Sequence, residues 1–290
     1  LLRNRSDKTA LISRLENGTR TTTSYRELYQ QVAECAAALR NLGVVSGDRV
    51  AGFMPNVPET IVAMLATASI GAIWSSCSPD FGINGVMDRF GQIEPVVLFA
   101  CDGYFYNGKK IDLTAKVKTI AAGLPTLENT ILINLAGLNS DLPVIHWNDI
   151  IANPVDTIDF YPSHFNDPLY VLYSSGTTGK PKCITHRVGG VLLQHLKEHQ
   201  LLVDLKREDV FFYFTTCGWM MWNWLVSGLA SGATLVLYDG SPFAGNGLFL
   251  LDAIDEEEIS IFGTSATFIA ALLKAGHKPR ESHSLKSLNT

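Results

Sequence analysis

Short apolar runs alternate with amphipathic stretches along most of the chain. Ser24 followed by Glu27 is a capping-box signature, and Leu28, Val32, Cys35, Ala36, Leu39 and Leu42 recur at helical spacing until Gly43 supplies a stop. DRVAGFMP then reads as a strand, Pro58 suits the first turn of a helix through PETIVAMLATASI, and Gly71 ends it before the strand-like AIWSS. Residues 86–93 read as a helix, VVLFAC as a strand, 115–122 as a helix and TILINL as a strand. Residues 154–168, PVDTIDFYPSHFNDP, lack periodicity and carry three prolines, as a connector does. Beyond it LYVLYSS and DVFFYFTT read as strands, 190–202 and 248–257 as helices, and ISIFGTSATFIAALLKAG as strand, turn and helix ending at Gly276. The alternation predicts an α/β fold of layered, largely parallel sheets with flanking helices. It also predicts an N-terminal α/β subdomain over 1–160 and a second over 161–290.

Residues 210–238 carry no charge until Asp239 and are long enough to span a bilayer, but Gly218, Asn223, Gly228 and Gly232 interrupt them. A buried strand, helix and strand is the expectation, with no membrane partner. A net charge of −5 with scattered basic residues argues against nucleic acid. Five cysteines without a C-x-x-C pair read as reduced thiols of a cytoplasmic protein, and no cluster of His, Asp or Glu has metal-ligand spacing. No signal peptide is evident, and Leu1 is no natural start, so the chain reads as part of something longer.

SSGTTGKPK, residues 174–182, is the stretch that packing does not explain. It offers unobstructed backbone N–H groups, the hydroxyls of Ser174, Ser175, Thr177 and Thr178, the turn-forming Gly176 and Gly179, and the cations Lys180 and Lys182. These are the parts of a phosphate cradle. A Walker loop is excluded, because Ser174 stands where its first glycine belongs and Pro181 where its Ser or Thr binds magnesium. KCITH after it is strand-like, so the loop is expected to join antiparallel strands without help from a helix dipole.

Val171 to Lys182 resembles the signature loop of the AMP-binding, adenylate-forming enzyme superfamily: an apolar residue, two free positions, then small-small-Gly-[ST]-[ST]-Gly-x-Pro-Lys. SPDFGINGVMDRFGQIEP from Ser78, GGVLLQHLKEH from Gly189 and TTCGWMMWNWLVSGLASGATLVLYDGSP from Thr215 are similar to stretches of acyl-CoA synthetases within it. The resemblance covers essentially all 290 residues and only a middle portion of such an enzyme.

The resemblance implies part of the large N-terminal domain of a two-step ligase using ATP, magnesium carried in with it, and coenzyme A. A carboxylate attacks the α-phosphate to give acyl-adenylate and pyrophosphate, and the CoA thiol then takes the acyl group. Residues 174–182 would grip the β- and γ-phosphates, Lys182 would act catalytically with Lys180 on the departing charge, and Thr177 and Thr178 would donate hydroxyls. Trp219, Met220 and Met221 would line the acyl pocket, with Asn223 a donor to the ketone of acetoacetate, the implied acid. Acetate, propionate or another short acid is the alternative. Lys109 falls near a position that would hold the CoA 3′-phosphate, while Tyr106 stands where another such residue would be basic. His186 matches a histidine found after this loop, structural or catalytic. Motifs for adenine, ribose, magnesium and the C-terminal lysine would lie beyond Thr290, so this piece alone is expected to be inactive. A non-catalytic nucleotide-binding module is the rival of another class, and the partners are small molecules only.

Overall fold

The structure is a computed structural model that describes residues 1–174 and 179–289. The chain opens with a hairpin of β1 (Thr9–Leu15) and β2 (Arg20–Ser24), followed by α1 (Tyr25–Asn41). The Ser24 hydroxyl accepts the Glu27 N–H at 3.2 Å while the Glu27 carboxylate accepts the Ser24 N–H at 2.7 Å. This is the predicted capping box, worth about 1 kcal/mol. Then come β3 (Arg49–Phe53), α2 (Pro58–Ser69) with its N-terminal proline, β4 (Ile73–Cys77), α3 (Ile83–Ile93) and β5 (Val97–Cys101). A small hairpin, β6 (Gly103–Tyr106) and β7 (Lys109–Asp112), precedes α4 (Thr114–Ala122), β8 (Asn129–Ile133), β9 (Ile145–His146) and the single turn α5 (Trp147–Ile150).

The proline-bearing connector has no helix or strand between residues 151 and 167. It is tacked down by the Ile158 N–H on the Tyr29 hydroxyl and the Tyr161 N–H on the Ser69 carbonyl. After it, β10 (Pro168–Tyr173) and β11 (Cys183–Arg187) run antiparallel on either side of the signature loop, as expected. α6 (Val188–Lys197) continues into a π-helical turn at Glu198–Leu202, and β12 (Val210–Tyr213), α7 (Met220–Ser227) and β13 (Thr234–Asp239) follow. The charge-poor stretch is therefore strand, helix and strand, and no helix among the described residues is long and apolar enough to cross a membrane. α8 (Phe249–Glu256), β14 (Ile261–Gly263), α9 (Ala266–Lys274) and α10 (Pro279–Ser282) close the chain.

Seven strands form one sheet in the order β11-β10-β4-β3-β5-β8-β9, and five form another in the order β14-β12-β13-β1-β2. Apart from the β10–β11 and β1–β2 edges, both sheets are parallel. Both draw strands from either side of residue 160, so the halves 1–160 and 161–290 are not separate layers. α1 packs on β1 and β2, α2 packs on β3 and β4, and the two helices pack on each other between the sheets. Along the five-stranded sheet Leu11, Phe211, Leu235 and Leu237 face that central layer. Their neighbours Ile12, Phe212, Val236 and Tyr238 face a second core under α8 and α9. This period-2 alternation, with apolar residues on both faces, is what a parallel sheet covered on both sides requires. Each such side chain contributes about 1.5–3 kcal/mol by burial.

Candidate active site

Carboxyl ends of parallel strands from both sheets converge on one crevice of about 380 Å³. Ser78 and Asp80 follow β4, Thr215 and Thr216 follow β12, Asp239 ends β13, and Tyr104 and Tyr106 come from the β6–β7 hairpin. Open α/β sheets bind ligands at such strand ends. The hairpin is held by Asp102, a fully buried carboxylate that accepts the N–H groups of Leu135, Ala136 and Leu138 at 2.8, 2.8 and 2.7 Å. Burial pushes the Asp239 carboxyl up to about 6; the Asn56 N–H it accepts at 2.8 Å opposes the shift, and the nearby Asp80 and Glu16 reinforce it.

The signature loop leaves β10 next to β4, at the same strand ends. Its base is closed by the Ser174 N–H on the Lys182 carbonyl at 3.0 Å and the Lys182 N–H on the Ser174 hydroxyl at 3.1 Å. Gly179 takes φ +100°, a left-handed conformation that a side chain would strain. Ser175, Gly176, Thr177 and Thr178 lie outside the described residues. Lys182 is exposed, and the Lys180 ammonium lies 3.8 Å from Asp88 of α3. Gln92, one turn further along α3, donates to the Pro181 carbonyl at 2.8 Å. Between them Arg89 stacks its guanidinium over the rings of Phe81, after β4, and Tyr173, at the end of β10, at 4.8 and 5.6 Å. One helix face thus buttresses the loop. Lys180 and Lys182 stand as two accessible cations beside Gly179, residue types able to pair with an anion.

Trp219 and Met220, at the start of α7, are 58% and 46% exposed, and Met221 is partly buried. Gly218 before them touches Phe81, where a Cβ would meet the ring at 3.2 Å. Asn223 is placed elsewhere: 2% exposed, it lines a separate cavity of about 500 Å³ with residues of α2, β10 and α6, and neither amide atom has a hydrogen-bond partner among the described residues. Trp219, Met220 and Met221 are not part of that cavity. Lys109 is exposed on β7 directly opposite Tyr106, which lines the crevice. The His186 ring lies against Tyr170 at 5.1 Å, and burial lowers its pKa. Among the described residues no group of three or more His, Cys, Asp or Glu is placed to hold a metal ion.

Sequence reasoning missed Asp80, Asp88, Gln92, Asp102, Asn56 and Asp239. The partners that place Asp88, Gln92, Asp102, Asn56 and Asp239 in the site lie far along the chain from them, and no local spacing marks these pairs.

The crevice lies at parallel strand ends beside the lysine-bearing loop. The chain belongs to the AMP-binding enzyme family, whose model matches residues 2–290. It is 50% identical over 294 residues to the acetoacetyl-coenzyme A synthetase of Rhizobium meliloti (strain 1021), covering 99% of this chain and 45% of that protein. It is 43% identical over 292 residues to the malonamoyl-CoA synthetase vrtB of Penicillium aethiopicum, covering 93% of this chain and 40% of that protein. The solved acetoacetyl-CoA synthetase from Streptomyces lividans superposes with a TM-score of 0.96 at 44% identity, covering 99% of this chain and 45% of that one. The chain therefore spans less than half the length of these relatives.

Proposed function

We propose that these residues serve an AMP-forming acid–CoA ligase acting on acetoacetate. The carboxylate attacks the α-phosphorus of ATP, forming acetoacetyl-adenylate and releasing pyrophosphate. The CoA thiol then attacks the activated carbonyl, loses its proton and releases AMP. The observation that carries this reading is the lysine-bearing loop set beside the crevice at the strand ends. In that arrangement Lys180 and Lys182 would stabilise charge on the departing pyrophosphate, with Ser174 at the loop base, and the loop hydroxyls would donate to phosphate oxygens. Magnesium would enter with ATP. Lys109 would meet the CoA phosphate, and Trp219, Met220 and Met221 would form the acyl wall. Asn223 lines the separate cavity and stands apart from this wall.

Acetoacetyl and malonamoyl groups share a carbonyl β to the carboxyl carbon, which favours a short β-oxo acid over acetate or propionate. A cytoplasmic location suits an enzyme with four buried reduced thiols. The test is pyrophosphate release by the full-length chain carrying these residues, across acetoacetate, malonamate, acetate and propionate. Acetoacetate is expected to give the highest kcat/KM, and a preference for acetate would reject the acid. Residues 1–290 alone are expected to release none.

A further inference from the structure

Exposed side chains at the start of a helix have little packing to orient them, yet an acid-recognising wall must be held in place. The turn that carries Trp219 and Met220 gets its order from behind. The Ser76 hydroxyl donates to the Cys217 carbonyl at 2.7 Å, and the Cys217 thiol donates to the Pro55 carbonyl at 3.2 Å. The Trp222 N–H of the backbone closes on the Trp219 carbonyl at 3.1 Å, and the indole N–H of Trp222 donates to Asn56 Oδ1 at 2.9 Å. Trp222 is fully buried and Asn56 is 1% exposed. Asn56 is in turn fixed to the other sheet: its backbone N–H donates to Asp239 at 2.8 Å, and its amide nitrogen lies 3.4 Å from the Tyr238 carbonyl. A single side chain on the β3–α2 loop therefore joins the end of β13 to the first turn of α7.

We propose that Asn56 is a positioning residue for acid recognition, acting through Trp222 on the Trp219, Met220 and Met221 wall. The inference rests on the reading of those three residues as that wall. Buried and satisfied by a directional bond, the Asn56–Trp222 pair sets the rotation of the first turn of α7. With the bond removed the indole N–H is left unpaired and the turn is free to rotate.

The test uses the full-length chain with Asn56→Ala, Trp222→Phe and the double variant. Steady-state KM is measured separately for the acid and for ATP, and the 19F spectrum of protein labelled with 5-fluorotryptophan is recorded. Each single change is expected to raise the acid KM about tenfold, the effect of one buried hydrogen bond, and to leave the ATP KM within about twofold. The double variant is expected to be no worse than the singles, because both remove one bond. The Trp219 resonance should broaden or shift in all three. An acid KM unchanged in the folded Trp222→Phe protein, acid and ATP KM rising together, or an unmoved Trp219 resonance would overturn the inference. If the wild type prefers another acid, the acetoacetate reading fails by itself, and the same split, measured on that acid, decides the role of Asn56.

Discussion

Asp239 has to sit at the end of β13, because its carboxylate receives the Asn56 N–H and faces the crevice, yet burial makes its charge unfavourable there. Its folded pKa of about 6 lies above the ordinary aspartate value, so the folded state holds the proton more tightly than the unfolded chain. Stability from this group is complete below about pH 4 and is lost as pH rises through about 6. Asp239→Asn keeps an oxygen for the Asn56 N–H and removes the charge. It is expected to raise Tm at pH 7.5 and to change it little at pH 4; an equal shift at both pH values would reject the burial argument. Nothing in LVLYDG announces this behaviour. The apolar run identified β13, but a carboxylate's surroundings come from Asn56, Asp80 and Glu16, which only the fold brings near.

Helices with local signals were legible: the Ser24–Glu27 box, Pro58 and the glycines after α1 and α2 each act within a few residues of the element they bound. Both missed hairpins have polar strands instead. β2 is mostly exposed and β7 is largely lysine and aspartate, so neither shows apolar alternation, although Asn17-Gly18 and Asn107-Gly108 supply their turns. The loop stood out in the sequence by its residue types, while its buttress on α3 did not, since Asp88 and Gln92 look like any solvated helix face. The α6–α7 contact carries its own prediction. His195 Nδ1 and His199 Nε2 both lie 2.9 Å from the Ser227 hydroxyl, and His199 stacks on Trp224 at 4.4 Å. Burial, with the neighbouring His199, lowers the His195 pKa to about 4, below its ordinary value. The neutral ring is the stable form, so stability is present above about pH 6.5 and lost as pH falls toward 4. His195→Gln should flatten this loss between pH 7 and 5 in thermal unfolding. An unchanged acid dependence would show that the contact tolerates the charge.

At the scale of the molecule, the chain order and the sheet order disagree in a way that ties the halves together. β13 pairs in parallel with β1 from the N-terminus, Leu11 against Leu235, and β10 pairs with β4, Tyr170 against Trp74. Glu257, after α8, closes the first of these joints: its carboxylate receives Arg20 at 2.8 and 2.7 Å and Arg14 at 3.2 Å. The Tyr25 hydroxyl adds a bond to the Ala233 carbonyl at 2.6 Å. Cutting at residue 160 would expose the apolar edges of both sheets and the central helical layer at once, removing partners from Leu11, Trp74, Phe211 and Leu235 together. At about 1.5–3 kcal/mol for each large side chain uncovered, these four alone cost about 6–12 kcal/mol, comparable with the whole 5–15 kcal/mol by which a domain is normally stable. Residues 1–160 and 161–290 expressed separately are therefore expected to show no cooperative thermal transition, whereas residues 1–290 unfold in one. Glu257→Gln, which weakens one joint without cutting the chain, should lower Tm by the equivalent of about 1–3 kcal/mol and leave a single transition. Two resolved transitions in calorimetry, or a folded 1–160 piece, would mean that the halves are independent units after all.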